Sequence, residues 1–336
     1  MPKPTPGEGE VLVKLSAAAL NHRDLFIRQH QYPAISFTAP LLADGAGIVV
    51  ALGPGVKRTD LQDQPVILAP SVGWASDPRG PESLAFAVVG ASKLSPVGAA
   101  QEFVCLGEDD VELAPPHLSA VESAALPLCG VTAWRALVTK SESAVRGHNV
   151  LITGIGGGVA LMALQFAAAK GCNAYVTSSD PAKLERSKEL GAKGGVSYKS
   201  ESWEKELQGL LPPERPFLDA VIDGAGGDIV ARASKLLKPG GIIAQYGMTV
   251  NPKMDWSMAA VLRNIELRGT TMGSRKEFAD MVAFVREQQI KPVVSRVAQG
   301  LNLEAINGLF DEMKAGRQFG KLVIDIDGSS GSFSRL

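Results

Sequence analysis

Short runs of alternating apolar and polar residues characterise the N-terminal part of the chain. Glu10–Leu15 alternates in this way, as a half-buried β-strand does, and Ser16–Leu20 continues the strand. Further apolar runs end at Gly or Pro residues, which break strands. Short strands without intervening helices predict a barrel-like β region. Its other predicted strands are Gly45–Gly53, Gln64–Ala69 and Gln101–Cys105, and the Gly-, Pro- and Ser-rich segment Ser71–Gly98 is predicted to be a long loop.

From Ser119 onward the apolar spacing becomes helical, and predicted helices alternate with predicted strands. This alternation predicts a parallel sheet covered by helices on both faces. The predicted strands are Val150–Thr153, Ala174–Thr177, Ala220–Asp223, Gly241–Tyr246 and Ile265–Gly269. The predicted helices are Ala160–Lys170, Pro181–Leu190, Trp203–Leu211, Ile229–Leu237 and Met258–Arg263. After Ser274, predicted helices Lys276–Gln288 and Leu303–Lys314 and a strand Lys321–Ile326 return to mixed structure.

One apolar stretch, Val150–Ala169, contains three consecutive glycines, Gly156–Gly158, between a strand pattern and a helix pattern. Its length and lack of charge would suit a membrane span, but three adjacent glycines disfavour a helix interior. They suit a turn that brings the backbone close to a ligand, followed by a helix N-terminus that attracts phosphate. We predict a nucleotide-binding turn, with a buried strand-turn-helix that binds no ligand as the alternative.

Composition narrows the class of protein. The chain has 336 residues, so two domains are expected, and 45% hydrophobic with 21% charged residues is typical of a soluble globular enzyme. A formal net charge of -1 offers no attraction to nucleic acid or an anionic membrane, and neither is an expected partner. The three scattered cysteines fit a reducing compartment, and the N-terminal residues show no secretory signal pattern.

The end of the second predicted strand of the sheet bears on the choice of dinucleotide. An NAD-binding unit usually carries an acid here for the ribose hydroxyls, whereas this chain has Ser178 and Ser179. Their hydroxyls, with Lys183 one turn into the next helix, can bind a 2′-phosphate. We therefore predict NADPH as the cofactor; the alternative is that Asp180 binds the ribose of NADH and Lys183 is merely solvated.

The order of motifs resembles the medium-chain dehydrogenase/reductase superfamily. The similarity extends from Val11 to Asp327 and is carried by AALNHRDLFIRQHQYP, GAGIVVALGPGV, ALPLCGVTAWRALV, the glycine turn, SSDPAKLERSKELGA and GRQFGKLVIDI. Within it, the zinc-free quinone oxidoreductase branch and proteins often labelled zinc-type alcohol dehydrogenase-like are the most similar. The resemblance implies an α/β fold: a doubly wound Rossmann sheet, residues 119–274, inserted into a GroES-like β-barrel catalytic domain, residues 1–118 and 275–327, with a flexible tail, residues 328–336.

The same resemblance implies the cofactor-binding residues. In the phosphate turn, Gly157, Gly158 and Val159 match the family pattern, while Ile155 and Ala160 depart from it, Ile155 being bulkier than usual. The remaining implied positions are Thr132 near the nicotinamide, Tyr198 near the adenosine phosphate, Gly224 and Gly247 at strand ends, and Lys321 near the cleft. For the two strand-end glycines, a simple turn is the alternative explanation.

Zinc-dependent relatives need thiolate, imidazole or carboxylate ligands around a catalytic metal. Matched by motif, these positions are Asn21, Ala43 and Cys129, which retain one candidate ligand. We therefore expect no metal, and expect Cys129 to be a small buried hydrophobe.

Without a Lewis acid the substrate must be activated by conjugation, since hydride addition to an enone or quinone leaves an oxygen that hydrogen bonds can stabilise. The sequence thus predicts an NADPH-dependent, zinc-independent reductase of activated C=C bonds or quinones, with Asn21 and His22 as candidates for the hydrogen-bond donors. The proton donor stays open, because Phe26 replaces a tyrosine of the quinone-reductase branch and Tyr32 is only a possible substitute. The alternatives are a zinc-free carbonyl reductase or alcohol dehydrogenase and a non-catalytic NADPH sensor.

Two expectations concern partners and location. The family implies a homodimer through the edge strand near Ile265–Gly269. The C-terminal Ser334-Arg335-Leu336 resembles the tripeptide read by the peroxisomal import receptor, so a peroxisomal and a cytoplasmic location are both predicted alternatives.

Overall fold

The computed structural model describes residues 3–251, 253–328 and 333. Its β-strands are β1 (Glu10–Ala19), β2 (Asp44–Leu52), β3 (Pro65–Leu68), β4 (Ser71–Val72), β5 (Ala87–Val88), β6 (Phe103–Gly107), β7 (Val111–Leu113), β8 (Asn149–Ile152), β9 (Asn173–Ser178), β10 (Gly194–Ser197), β11 (Leu218–Asp223), β12 (Leu237–Gln245), β13 (Glu266–Gly269), β14 (Val294–Gln299) and β15 (Lys321–Asp325). The α-helices are α1 (His22–Arg28), α2 (Ala120–Ala124), α3 (Pro127–Trp134), α4 (Gly158–Ala169), α5 (Pro181–Glu189), α6 (Trp203–Gln208), α7 (Ile229–Leu236), α8 (Met258–Leu262), α9 (Arg275–Glu287) and α10 (Leu303–Lys314). A π-helical segment, Arg135–Lys140, follows α3, and two short 3-10 turns are Thr59–Leu61 and Glu108–Asp110.

The chain divides into two units, the first formed by the segment up to Val131 and the segment from Met272, the second by Thr132–Thr271. The first junction therefore follows Val131, whereas the sequence analysis placed it between residues 118 and 119. The reason is that α2 packs against β1 and β2 of the first unit. The apolar spacing of α2 predicts a helix, and the sequence analysis placed the start of the second domain at this helix. Such spacing does not indicate which hydrophobic core the helix packs against.

The first unit is built around β1, which pairs with three strands. Its neighbours in the sheet order β14-β15-β1-β2-β3-β7 are β15 and β2, and β6 also pairs with it. Because β1 is covered so extensively, it is buried almost throughout, and it ends at Ala19, one residue before the predicted end at Leu20. The core of this unit includes Val13, Leu15, Val66, Leu68, Leu106, Phe310 and Leu322.

The second unit is a six-stranded sheet in the order β10-β9-β8-β11-β12-β13, with every pair parallel. Numbered within the unit, this order is 3-2-1-4-5-6, the arrangement of doubly wound dinucleotide-binding sheets. The central strands β8 and β11 are buried throughout, as expected of a parallel sheet that helices cover on both faces. The strand order reverses between β8 and β11, and the carboxyl ends of strands at such a switch point are where ligands bind.

Several short elements were not predicted from the sequence. Helix α1 begins at the polar residues that follow β1, where no helix was predicted, because Asn21 and Asp24 form a capping box. Strand β10 contains two glycines, which weaken a strand pattern, but pairs in parallel with β9. Strand β14, left unassigned, pairs in parallel with β15. Within the predicted loop Ser71–Gly98, β4 and β5 form a short antiparallel pair.

In the described part of the chain, every helix is too short or too polar to cross a membrane. The apolar stretch Val150–Ala169 is divided among β8, the glycine turn and α4. The tripeptide Ser334-Arg335-Leu336 lies outside the described residues.

Candidate functional site

The glycine turn links β8 to α4 at the switch point of the parallel sheet. Gly154 and Gly156 adopt φ values of 66° and 125°, which side chains disfavour. The turn is held to the neighbouring strand, since the Ile155 N–H donates to the Thr177 carbonyl at 2.8 Å and the Gly154 N–H to the Thr177 hydroxyl at 3.1 Å. Gly157 is the N-cap of α4 and supplies no side chain to cap it. The backbone of Gly157–Val159 thus lies where a helix N-terminus can accept a pyrophosphate.

The two departures from the family pattern do not add bulk to the surface of this turn. Only 3% of Ile155 and none of Ala160 is exposed. Both side chains contribute to the interior of the unit, so the turn surface is left to glycine backbone.

The end of β9 carries the residues predicted to select the dinucleotide. The Tyr198 hydroxyl donates to the Ser179 hydroxyl at 2.9 Å, and the Tyr198 N–H donates to the Ser178 carbonyl at 3.3 Å. The Ser178 hydroxyl accepts from the Asp180 N–H at 3.1 Å. The structure therefore brings Ser178, Ser179 and Tyr198 together at one strand end.

Asp180 and Lys183 belong to the start of α5. Asp180 is the N-cap, and its carboxylate accepts from the Ala182 N–H at 2.9 Å. Lys183 is half-buried in the first turn. Burial lowers the pKa of Lys183, the nearby Asp180 charge opposes that shift and Arg186 adds to it. The acid that could have bound a ribose is thus used to cap the helix.

Gly224 and Gly247 meet at the ends of β11 and β12. A Cβ on Gly224 would lie 2.4 Å from the ring of Tyr246, and one on Gly247 would lie 3.4 Å from the Gly224 carbonyl oxygen. The Tyr246 ring leaves no room for a side chain at position 224, a packing reason for glycine that neither the cofactor prediction nor the turn alternative included. Thr132 lies in α3 with 4% of its surface exposed.

Asp223, at the carboxyl end of β11, was not among the predicted site residues. Its buried carboxylate accepts from the Thr153 hydroxyl at 2.5 Å, the Gln245 amide at 2.6 Å and the Gly226 N–H at 2.8 Å. Burial raises the pKa of Asp223, and these hydrogen bonds act in the opposite direction. The carboxylate therefore ties the ends of β8, β11 and β12 together beneath the switch point. The sequence feature that could have identified Asp223 is an acidic residue at the end of an otherwise apolar strand.

A second cluster lies in the first unit, around the ammonium group of Lys321. Lys321 Nζ donates to Asn21 Oδ1 at 2.6 Å and to Asp44 Oδ2 at 2.7 Å. Asn21 Nδ2 donates to the same carboxylate at 2.9 Å, and the Leu128 N–H donates to Asp44 Oδ1 at 2.7 Å. The Cys129 thiol donates to Asn21 Oδ1 at 3.6 Å. We call Asn21, Asp44, Cys129 and Lys321 the ammonium cluster; its four residues are 0–6% exposed.

Charge balance explains how an ammonium group is held in the interior. Burial alone would lower the pKa of Lys321, but the Asp44 carboxylate raises it above its ordinary value. Burial raises the pKa of the Cys129 thiol to about 11, with the Lys321 charge acting against that shift. The cluster is therefore a lysine–aspartate ion pair beside a neutral thiol.

Helix α1 starts at this cluster. The Asn21 N–H donates to Asp24 Oδ2 at 2.8 Å, and Arg23 Nη1 lies 3.4 Å from Asp24 Oδ1. His22, the first helical residue, keeps its side chain exposed to solvent. The protein around it and the Lys321 charge lower the pKa of His22. Of the two predicted donors, Asn21 is committed to the cluster and His22 remains accessible. The ring of Tyr32, the suggested substitute proton donor, lies 5.2 Å from the Arg23 guanidinium carbon.

Known proteins are similar in sequence to both units of this chain. Residues 7–116 match the profile of the alcohol dehydrogenase GroES-like domain, and residues 158–287 match that of the zinc-binding dehydrogenase. A zinc-type alcohol dehydrogenase-like protein YogA of Leptosphaeria maculans is 56% identical over 331 residues, covering 96% of this chain and 92% of that protein. A zinc-type alcohol dehydrogenase-like protein of Schizosaccharomyces pombe is 33% identical, covering 95% and 91%. A crystal structure of an NAD-dependent alcohol dehydrogenase superposes with a TM-score of 0.84 at 32% identity, covering 96% of this chain and 94% of that one.

A GroES-like unit and a doubly wound parallel sheet with a glycine turn define a two-domain nicotinamide-dependent oxidoreductase. The chain belongs to the medium-chain dehydrogenase/reductase superfamily, as the sequence predicted. Its fold prediction, a Rossmann sheet with a GroES-like β domain, is confirmed.

The zinc implied by the second profile does not fit the residues present. Of the positions matched to metal ligands, Ala43 has no donor atom, and the donors of Asn21 and Cys129 face the ammonium cluster. Among the described residues, no group of three or more His, Cys, Asp and Glu side chains is arranged to hold a metal.

Proposed function

We propose that this protein is an NADPH-dependent reductase of activated C=C bonds or quinones that works without zinc. The observation that carries the proposal is the ammonium cluster, in which Lys321 and Asp44 form a buried ion pair beside Asn21 and Cys129, two of the three positions matched to metal ligands. The same donors cannot bind Lys321 and a metal at once. A reductase with this arrangement needs substrates that react without Lewis-acid activation.

The preference for NADPH is supported by the end of β9. Ser179 and Tyr198 present hydroxyls there, Lys183 adds a positive charge, and Asp180 is held as a helix cap. Hydroxyl and ammonium groups suit a phosphate better than a pair of ribose hydroxyls. Bound NADPH would supply the hydride. NADH is the competing cofactor, since the similar solved dehydrogenase is described as NAD-dependent.

Conjugated carbonyls are the substrate class that this chemistry favours. Hydride delivered to the conjugated carbon leaves an enolate-like oxygen, which one or two hydrogen bonds stabilise. His22 is the accessible candidate for this donor, because the amide of Asn21 is used within the cluster. Its lowered pKa favours a neutral imidazole, which still donates one N–H. A matched pair tests the role: His22→Phe should lower kcat, whereas His22→Gln, which keeps an N–H donor, should retain more of it.

The second candidate function is a carbonyl reductase or alcohol dehydrogenase, since the names of several similar proteins include alcohol dehydrogenase. One experiment separates the candidates: oxidation of NADPH and NADH is followed with enones, quinones and saturated aldehydes, using chelator-treated and zinc-supplemented protein. We expect turnover of enones or quinones with NADPH, unchanged by chelation. Activity on saturated aldehydes alone would favour the second candidate, and loss on chelation with recovery on zinc would overturn zinc independence. Tight NADPH binding without turnover would indicate a sensor.

We also propose that the protein is a homodimer. In the described sheet, β13 is an edge strand, and apolar side chains on it and on the preceding helix α8 are exposed: 39% of Leu267, 66% of Met258 and 73% of Leu262. A second copy covering these side chains would remove them from water. Light scattering after size-exclusion chromatography should give the mass of two chains, and Leu262→Glu should give the mass of one.

A further inference from the structure

A groove with mostly apolar walls lies in the first unit, where β3 begins and β7 ends. Its volume is about 460 Å³. Its walls include Pro65, Leu113, Ala114, Pro116, Leu118 and Arg286, all from the first unit. In the described sheet β7 is the terminal strand, so the groove lies at a sheet edge, a place that proteins commonly cover with another segment.

Hydrogen bonds within the walls give the groove its shape. The Ala114 N–H donates to the Pro65 carbonyl at 2.9 Å, which joins the end of β7 to the start of β3. Arg286 Nη2, from α9, donates to the Leu113 carbonyl at 3.3 Å. Prolines in the wall have little backbone freedom to lose when another segment binds. The groove therefore forms without help from an occupant.

Phe333, near the end of the sequence, lines the same groove, and its side chain is half-buried. In residues 327–336, DGSSGSFSRL, it is the only aromatic residue, and Leu336 is the only other apolar one. Burial of an aromatic ring among proline and leucine side chains is favourable, whereas serine and glycine gain little by leaving water. Phe333 is thus the residue by which this segment can bind the groove.

The same chain, rather than a second copy, is the favoured source of this phenylalanine. The Ile326 N–H donates to the Ser16 carbonyl at 2.8 Å, which fixes the chain to the first unit seven positions before Phe333. A tether this short gives a local concentration on the order of millimolar. A second copy at micromolar concentration competes poorly with such a segment.

We propose that the groove is a docking site for the chain's own segment around Phe333, and that docking withholds the next three residues, Ser334-Arg335-Leu336, from a receptor. These three residues follow Phe333 directly in the sequence and resemble the tripeptide read by the peroxisomal import receptor. A docked Phe333 keeps them beside the first unit, so the receptor has to compete with the groove. Reduction of a substrate does not depend on this contact, and loss of the contact leaves the proposed function intact.

Docking can be measured by ¹⁹F NMR of the full-length protein containing fluorophenylalanine, in which the Phe333 signal is the one lost in Phe333→Leu. For the wild type we expect this signal away from its position in a free peptide of residues 327–336. Ala114→Glu, which places a charged side chain in the groove, should move the signal to the free-peptide position. The matched control Ala315→Glu, exposed at the end of α10, should keep the wild-type signal.

Dilution distinguishes the two sources of the phenylalanine. The signal should stay unchanged on dilution and in Leu262→Glu, the variant expected to be monomeric. A wild-type signal at the free-peptide position would overturn the proposal. A docked signal that disappears on dilution would overturn it as well, because the occupant would then come from a second copy.

Receptor binding tests the consequence of docking, with the tripeptide-binding domain of the peroxisomal import receptor as the probe. A segment docked about nine-tenths of the time raises the apparent dissociation constant about tenfold, since only the undocked fraction can bind. Ala114→Glu should therefore bind the receptor about tenfold more tightly than the wild type, and Ala315→Glu should match the wild type. Equal affinities for the wild type and Ala114→Glu, or no binding by either, would overturn the withholding of the tripeptide.

Phe333→Ser covers the case in which Ala114→Glu folds poorly, because it leaves the groove walls unchanged. It should show the same gain in receptor affinity. Free peptides of residues 327–336 with and without Phe333→Ser measure any direct contact of this side chain with the receptor, and their difference is subtracted. No gain after this correction would overturn the proposal.

Discussion

Lys321 Nζ lies 2.7 Å from the Asp44 carboxylate, and both side chains are almost entirely excluded from water. Each residue is therefore needed to compensate the charge of the other. Loss of one partner from such a pair typically costs about 3–5 kcal/mol, because an uncompensated charge stays buried.

We predict that Lys321→Met, in metal-free buffer, lowers the free energy of unfolding by about 3–5 kcal/mol. Adding Asp44→Asn should recover part of this loss, because it removes the unpaired carboxylate. The matched control is Lys291→Met, since Lys291 is 58% exposed and lies 3.3 Å from Glu122. Its effect should stay below about 1 kcal/mol, as for other exposed ion pairs. Urea unfolding gives the free energy of unfolding of the three variants. Equal losses for Lys321→Met and Lys291→Met would contradict a buried ion pair at Lys321.

Asp24 gives the first unit a pH dependence. Burial raises the pKa of this carboxyl to about 6, with Arg23 and the Asn21 N–H opposing the shift. Between the ordinary value of 3.8 and about 6, the native state binds more protons at Asp24 than the unfolded state does. The contribution of Asp24 to stability must therefore fall as the pH rises through this window, and then level off.

Comparison with Asp24→Asn isolates this contribution. The free energy of unfolding of the wild type minus that of Asp24→Asn should decrease between pH 4 and 6 and stay constant above it. The full change is on the order of 2–3 kcal/mol. Urea unfolding at a series of pH values gives the difference, and a flat or rising difference would show that the carboxyl is not shifted upward.

Periodicity and turn chemistry were sufficient to predict the strand-helix alternation of the second unit and the glycine turn. Both signals are local: apolar runs mark β8, β9, β11 and β12, and consecutive glycines mark a break between a strand and a helix. Strand β10 escaped because its glycines erase the pattern, and its existence depends on pairing with β9.

The ammonium cluster could not be predicted from local sequence patterns. Asp44 and Lys321 are separated by 277 positions, and only the pairing of β15 and β2 with β1 brings them together. Motif matching directed attention to Ala43, the residue before the acid that matters. The two partners of a buried ion pair need not follow any fixed spacing along the chain. The sequence could therefore suggest the loss of metal ligands but not the pairing of Lys321 with Asp44.

The prediction of NADPH can be tested on one helix. Lys183→Met should weaken NADPH binding about tenfold or more, because a charged hydrogen bond to a phosphate is lost, while NADH binding should hardly change. The matched control is Lys188→Met, the same change on α5, since the Lys188 ammonium already binds Glu185 at 2.7 Å. Fluorescence titrations of the wild type and both variants with NADPH and NADH give the six dissociation constants. Equal losses for NADPH and NADH in Lys183→Met would mean that the lysine does not recognise the 2′-phosphate.

The glycine turn permits a test that separates binding from folding. Gly157 has φ −76°, and a Cβ there would approach no atom closer than the Gly154 carbonyl oxygen at 3.9 Å. Gly157→Ala should therefore fold with an unchanged thermal midpoint. Its methyl group, however, stands at the N-terminus of α4, where a pyrophosphate must approach the backbone.

Dinucleotide affinity should consequently fall by about tenfold or more in Gly157→Ala, a loss of at least about 1.4 kcal/mol of binding free energy. Gly156→Ala is the contrasting variant: its φ of 125° strains any side chain, so it should lose stability as well as affinity. Calorimetric unfolding and cofactor titration of both variants supply the comparison. If Gly157→Ala binds NADPH and NADH as the wild type does, then the pyrophosphate does not contact this turn, and the sheet's switch point needs another explanation for its glycines.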